Sequence, residues 1–212
     1  YSGRDLYYGV MNGLGQWLID PTPFPSPPPP HRNGNVDDLV VDGAGVAHIL
    51  THTDPDSNWT PRVRLTKVDP DGAASAAPRV LFDQMLSQTG SRSSHATLAV
   101  DSQGRAWISE PTHQSVTRIT ISTPSPIVES FPIRGMGPTM IVVDLNGSDV
   151  WVVNSQSNNL TKLDSLGAEY PTSPYTVGNQ PRSISLDALG NIFVTNFASE
   201  TVSRLSRNGQ LL

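Results

Sequence analysis

The chain has 212 residues and a formal net charge of -5, and 16% of its residues are charged, against roughly 25% in ordinary soluble domains. Its 17 glycines and 19 prolines favour short strands and many turns, and the lack of cysteine excludes disulfides and thiolate metal sites. No basic block supplies the concentrated positive charge that a nucleic-acid backbone requires, and no apolar run is long enough for a transmembrane segment.

In chain order, residues 1–20 read as an N-terminal hairpin. Apolar stretches at 6–10 and 17–19 flank the turn formers Asn12-Gly13 and Gly15. This hairpin is expected to be a partial blade or a ring-closing strand. Residues 21–34 form a proline-rich connector. Its run Pro-Thr-Pro-Phe-Pro-Ser-Pro-Pro-Pro-Pro at 21–30 must be extended, because proline fixes φ and disfavours the helical region for the residue before it. A stiff spacer is the plain reading, and a ligand for SH3-type or WW-type domains is the alternative. The opening at Tyr1 rather than at Met is what a processed or excised chain would show.

Residues 35–212 carry repeats at about 35–94, 95–137, 138–180 and 181–212. Leu39-Val40-Val41-Asp42-Gly43-Ala44-Gly45 matches Leu98-Ala99-Val100-Asp101-Ser102-Gln103-Gly104 position for position. The first repeat is lengthened at 52–61 and again at 69–94, where 81–86 reads as a short helical turn or an outer strand. Asp101, Asp144 and Asp187 follow at an interval of 43 residues. Each precedes a glycine (Gly104, Gly147, Gly190), an apolar-aromatic strand and a basic-hydrophobic pair: Arg118-Ile119, Lys162-Leu163, Arg204-Leu205. That interval is the period of a four-stranded propeller blade. First strands are predicted at 97–100, 140–143 and 183–186, second strands at 106–109, 150–153 and 192–195, and third strands at 116–119, 160–163 and 202–205. Short fourth strands are predicted near 127–131 and 175–177. Only Gln210, Leu211 and Leu212 follow Gly209, so the last fourth strand is expected to be missing or supplied by the N-terminal segment, which would hide two open edges. The fold class is all-β, a propeller of four-stranded antiparallel blades with about four to five blades visible, in a small or incomplete ring.

Two columns of the repeat are architectural. Asp42, Asp101, Asp144 and Asp187 read as turn carboxylates that accept backbone N–H groups. Calcium would need more oxygen ligands than Asp101-Ser102-Gln103-Gly104 offers. Trp107, Trp151 and Phe193 share one place on the second strand, where a large ring packs blade against blade. Outside these columns, Trp59 with Asp54, Asp56 and Asn58 in the lengthened loop is a candidate surface contact. Glu110, Asn154 and Asn196 follow the second strands; the two asparagines read as turn residues. Glu110 differs because His95 and His113 lie close by in sequence, a set that could hold a divalent cation or act as acid and base. A solvated loop is the competing reading. His48 and His52 form a second thin cluster with Asp54 and Asp56.

The phrases at 98–110 and at 181–196, Leu-Ala-Val-Asp-Ser-Gln-Gly-Arg-Ala-Trp-Ile-Ser-Glu and Pro-Arg-Ser-Ile-Ser-Leu-Asp-Ala-Leu-Gly-Asn-Ile-Phe-Val-Thr-Asn, resemble blades of the virginiamycin B lyase and NHL-like propellers. The resemblance covers about 36–209. It implies metal-assisted elimination that opens a cyclic depsipeptide, with a histidine base and glutamates around magnesium. Glu110 falls on the family's Trp-Phe-Thr-Glu position, whereas Asn154 and Asn196 do not match it. His95 stands one residue before the family's histidine, a slip that reverses the side-chain face unless a bulge at Ala96-Thr97 restores it.

The leading expectation is a non-enzymatic module that binds protein or glycan, or packs in a larger assembly through self-association or a subunit covering an exposed blade edge. A metal-dependent lyase using His95, Glu110 and His113 is the alternative, with Mg or Ca as the cation and Glu110 as its ligand. Export to the periplasm, cell surface or medium is expected from the Asn-x-Ser/Thr triplets at Asn58, Asn146 and Asn159, which chance alone also explains.

Overall fold

The computed structural model describes residues 38–43, 45–50, 96–109, 111, 113–120, 126–144 and 146–212 in full, and 7–11, 17–23, 35–37, 51–53, 62–69 and 79–88 as strand backbone. Among these residues there is no helix. The chain divides into two compact units, Tyr1–Arg92 and Ser93–Leu212.

In the first unit, β1 (Tyr7–Met11) and β2 (Trp17–Pro23) form the antiparallel hairpin expected from the Asn12-Gly13 turn signal. The second strand runs three residues beyond the expected hairpin boundary, as far as Pro23. Proline is tolerated at a sheet edge, where its missing N–H removes no ladder bond. β3 (Asn35–Val41), β4 (Ala47–Thr53), β5 (Arg62–Asp69) and β6 (Arg79–Gln88) follow as a four-stranded antiparallel meander, sheet I. Residues 81–86 lie inside β6, so this stretch is an outer strand and not a helical turn.

The second unit holds three more meanders. Sheet II comprises β7 (Thr97–Val100), β8 (Ala106–Ser109), β9 (Ser115–Thr120) and β10 (Ile127–Pro132). Sheet III comprises β11 (Pro138–Val143), β12 (Asp149–Asn154), β13 (Asn159–Asp164) and β14 (Tyr175–Thr176). Sheet IV has β15 (Pro181–Leu186), β16 (Ile192–Asn196) and β17 (Thr201–Leu205).

Sheet III is packed on both faces, which is why β12 reads as the unbroken apolar run Val-Trp-Val-Val. Val150 and Val152 join Ala99, Trp107, Val116, Ile133, Ile141 and Leu163 in one cluster. Trp151 and Val153, pointing the other way, join Leu160, Ile184, Ile192, Val194 and Leu205 in a second. Burying each such large side chain stabilises by about 1.5–3 kcal/mol.

Rings and cations recur at the same register position within each sheet. Trp107 lies opposite Arg118, Trp151 opposite Lys162 and Phe193 opposite Arg204. In sheet I the same place is taken by His48, opposite Lys67. The Arg118 guanidinium lies 5.2 Å from the Trp107 ring centroid, the Lys162 ammonium 5.0 Å from that of Trp151, and Arg204 5.5 Å from that of Phe193. The outer strands add Phe131 at 5.8 Å from Trp107 and Tyr175 at 5.5 Å from Trp151.

Each buried cation also reaches into the next sheet. Arg118 Nη1 donates to the Ser165 carbonyl at 2.6 Å, and Lys162 Nζ donates to the Arg207 carbonyl at 3.2 Å. Ser165 and Arg207 hold the same place in the turn after the third strand. In those turns Gly167 (φ 90) and Gly209 (φ 83) adopt the left-handed conformation. A side chain there would meet the rings of Phe131 and Tyr175 respectively.

Because Trp107 is fully buried between sheets II and III, Trp107→Ala is expected to cost about 3–5 kcal/mol by leaving a cavity. Phe193→Ala, at a half-buried ring, should cost under about 2 kcal/mol. Denaturant melts compare the two; a loss under about 1 kcal/mol for Trp107→Ala would contradict this packing.

Candidate functional site

His95, Glu110, Trp59, Asp54 and Asp56 lie outside the described residues. His113 is exposed in the turn entering β9. Among the described residues no three carboxylate or imidazole side chains gather as metal ligands. The described groups therefore do not by themselves form a site for Mg or Ca.

The recurring aspartates close the turn between first and second strands. Asp101 Oδ1 accepts the N–H groups of Gln103 (3.0 Å) and Arg105 (2.9 Å), while its Oδ2 accepts Arg105 Nε (2.6 Å) and Trp107 Nε1 (2.9 Å). Asp144 Oδ1 accepts the Ser148 N–H at 2.8 Å. Asp187 Oδ1 accepts the Leu189 and Asn191 N–H groups, and its Oδ2 accepts Asn191 Nδ2 at 2.7 Å. The Asn191 amide, together with these backbone donors, holds the Asp187 carboxyl below its ordinary pKa. In sheet I, His48 Nε2 lies 2.9 Å from Asp42 Oδ2, the bond that Trp107 makes to Asp101. His48 is thus a fully buried member of the ring column, a role that its reading as a cluster with His52 missed. The column of large rings, six residues past Asp101 and Asp187 and seven past Asp144, was the signal for it.

At the same end of sheet III, Asp149 joins the turn to the row of cations. Lys162 Nζ lies 2.8 Å from Asp149 Oδ2, and the Tyr170 hydroxyl donates to Asp149 Oδ1 at 2.8 Å. A small cavity of about 140 Å³ opens beside them, lined by Asp144, Asn146, Trp151, Leu189 and Arg207 among others.

The opposite end is built differently. Asn154 and Asn196 are buried rather than solvated. Asn154 Nδ2 donates to Asn159 Oδ1 and Thr161 Oγ1, both at 2.9 Å, and Asn196 Nδ2 donates to Thr201 Oγ1 at 3.2 Å and Ser203 Oγ at 2.9 Å. These amides brace the turn between second and third strands. The turn is further tied to the connection that enters its sheet: Ser155 N–H donates to Gly137 O at 2.9 Å, and Phe197 N–H to Gln180 O at 2.9 Å.

Between these turns and connections opens a cleft of about 750 Å³, lined by Pro111, Thr139, Ser155, Gln156, Asn158, Gln180 and Arg182. Thr139 and Arg182 both occupy β-bulges, between Pro138 and Met140 and between Pro181 and Ser183. A bulge breaks the alternation of a strand and re-aims one side chain. Asn158 (φ 55) and Gln180 (φ 49) are left-handed, and the Asn158 side-chain oxygen accepts the Gln180 N–H at 2.8 Å. Arg182 stacks on Phe197, its guanidinium 3.8 Å from the ring centroid, which fixes the fork while leaving its donors toward solvent. The cleft thus offers hydroxyls, carboxamides and one guanidinium. None of these lining residues except Arg182, which lies within a quoted repeat phrase, was singled out from the sequence; the proline that opens β11 and β15 was the available signal.

No protein-family model matches the sequence, and no curated protein sequence matches it. Solved structures do. A streptogramin B lyase aligns at 12% identity with a TM-score of 0.66, over 100% of this chain and 62% of that one. Virginiamycin B lyase from Staphylococcus aureus aligns at 15% identity and a TM-score of 0.57, over 97% and 76%. Apo AztD from Citrobacter koseri aligns at 14% identity and a TM-score of 0.59, over 100% and 52%. The chain therefore spans less than two thirds of the streptogramin B lyase that it resembles. At these identities the likeness establishes the fold, β-propeller blades.

Tyr170 supplies a pH test of the Asp149 cluster. Its hydrogen bond to Asp149, then burial, then the charges of Asp149, Asp164 and Asp144 raise its pKa from 10.0 to about 12. The folded pKa exceeds the unfolded one, so the contribution is complete below pH 10.0 and is lost as pH rises toward about 12. Stability measured across that window should fall more steeply in the native chain than in Tyr170→Phe; identical slopes would contradict the bond.

Proposed function

We propose that this protein is a binding module whose ligand, a glycan or a stretch of polypeptide, lies in the cleft between the turns of sheets II, III and IV. The observation that carries this reading is the chemistry of the lining. Gln156, Asn158 and Gln180 offer carboxamides that both donate and accept, Thr139 and Ser155 offer hydroxyls, and Arg182 is held in place over Phe197. The carboxamides and hydroxyls are neutral and Arg182 keeps its charge, so the lining matches sugar hydroxyls or peptide amides without driving proton transfer. An extracytoplasmic location fits this reading. Asn146 is exposed beside its Asp144 turn, whereas the Asn159 side chain is engaged by Asn154, so a glycan would be carried at Asn146 in preference to Asn159.

The second reading, a metal-dependent lyase, rests on one adjacency. Pro111 lines the cleft and directly follows Glu110. That reading expects magnesium-dependent opening of a cyclic depsipeptide by the full chain, lost in Glu110→Gln.

The binding reading is tested with the labelled full chain on a glycan array and a peptide array, followed by calorimetry on the strongest hit. Arg182→Ala is expected to weaken binding about tenfold, the size of losing one stacked, charge-assisted contact, without lowering the melting temperature. Binding that survives Arg182→Ala but is lost in Trp59→Ala would move the site to residues 52–61 and contradict the cleft.

A further inference from the structure

Sheets III and IV meet the cleft with equivalent positions that carry different side chains. Their backbone bonds set the equivalence: Ser155 N–H donates to Gly137 O as Phe197 N–H does to Gln180 O, and Gln156 N–H to Met136 O as Ala198 N–H does to Asn179 O. Gly137 therefore corresponds to Gln180, Gln156 to Ala198, Thr139 to Arg182 and Ser155 to Phe197.

The first two correspondences form an exchange. Gly137 (φ 65) is left-handed, and a Cβ there would meet the Gln156 side chain. Gln180 (φ 49) holds the same conformation, which carries a steric cost for any residue with a Cβ. The residue that takes the place of Gln156 beside it is the small Ala198. Each sheet thus brings one glutamine to the cleft, sheet III from its turn and sheet IV from the connection that enters it. Glycine would serve the connection equally well, so a strained carboxamide points to a contact made outside it.

The other two correspondences change the charge. Where sheet III has the hydroxyls of Thr139 and Ser155, sheet IV has Arg182 lying on Phe197, the guanidinium 3.8 Å from the ring centroid. Among the described residues no carboxylate forms an ion pair with Arg182, and no other described residue lining the cleft is charged. In a chain of net charge -5, the cleft therefore sets one positive charge at sheet IV against neutral hydroxyls and carboxamides at sheet III.

On the reading that this cleft is the binding site, we propose that its ligand is an acidic glycan, with a uronate carboxylate held by the Arg182 fork and ring hydroxyls held by Gln156, Asn158 and Gln180. A planar guanidinium matches a carboxylate through two parallel hydrogen bonds, and a single guanidinium balances a single negative charge. A glycan is favoured over an acidic polypeptide because Pro111 is the one described lining residue without a polar side chain. The cleft thus has no apolar pocket of the kind that selects peptide side chains.

The test titrates the full chain, by calorimetry, with oligosaccharides of galacturonate, mannuronate, guluronate and hyaluronan, each beside its own carboxyl-reduced form. At least one uronate is expected to bind about tenfold more tightly than its reduced form, the size of one charge-assisted contact. Arg182→Gln should abolish that preference, and Arg182→Lys should restore only part of it, because an ammonium lacks the fork. Gln180→Gly, which installs the residue that sheet III has, should weaken the uronate and its reduced form alike by about fivefold, as loss of a neutral hydrogen bond implies, with no fall in melting temperature. Equal affinity for a uronate and its reduced form overturns the proposal, as does a preference that survives Arg182→Gln or a lack of binding to every uronate at millimolar concentration. A neutral glycan or an acidic peptide that binds instead, and is weakened by Gln180→Gly, overturns the acidic glycan while keeping the cleft as the binding site. Binding that neither variant changes overturns both.

Discussion

The second unit depends on a cation held between rings and a neighbour's backbone. Arg118 and Lys162 are both more than nine-tenths buried, and a buried charge is tolerated only when it is paired and hydrogen-bonded. Each finds a carboxylate on its own sheet, Glu129 at 2.5 Å and Asp149 at 2.8 Å, and gives a further donor to a turn carbonyl on the sheet that follows. Sheets II and III are therefore incomplete without a successor. Stability becomes a sum of sheet terms and nearest-neighbour terms, as in other repeat proteins.

The same arrangement gives the two ends of the sheets different surfaces. One end of the sheets is occupied by turns whose carboxylates are consumed by their own backbone, as at Asp101 and Asp187. The other end is held by buried amides, Asn154 and Asn196, that leave the turn surface to Ser155, Gln156 and Asn158. Bulges at the start of β11 and β15 then turn Thr139 and Arg182 toward the same cleft. A polar surface is thereby assembled from residues of three sheets without cutting into the core.

The sheets were legible in the sequence because their signals are local. A turn aspartate, a glycine three residues on and a ring six or seven residues on lie within a single hairpin, so a 43-residue interval exposed them. Three features were not legible. His48 was read as a ligand candidate because its chemistry is ambiguous in isolation; only the Asp42 carboxylate beside it shows that it serves as a ring in the column. Asn154 and Asn196 looked like turn residues, since nothing in the linear pattern says that the Thr161 and Ser203 hydroxyls face them. The cleft is assembled from three sheets, and a bulge changes side-chain direction without changing the repeat length, so no spacing rule finds it.

The claim that consecutive sheets stabilise one another is tested most directly by a double-mutant cycle between Trp151 of sheet III and Leu205 of sheet IV, which share one buried cluster. Unfolding free energies of Trp151→Leu, Leu205→Ala and the double variant are compared with the native chain. Direct packing across the interface predicts a coupling of about 0.5–3 kcal/mol. Additivity within about 0.3 kcal/mol would mean that the two side chains do not share an interface, and would contradict the account.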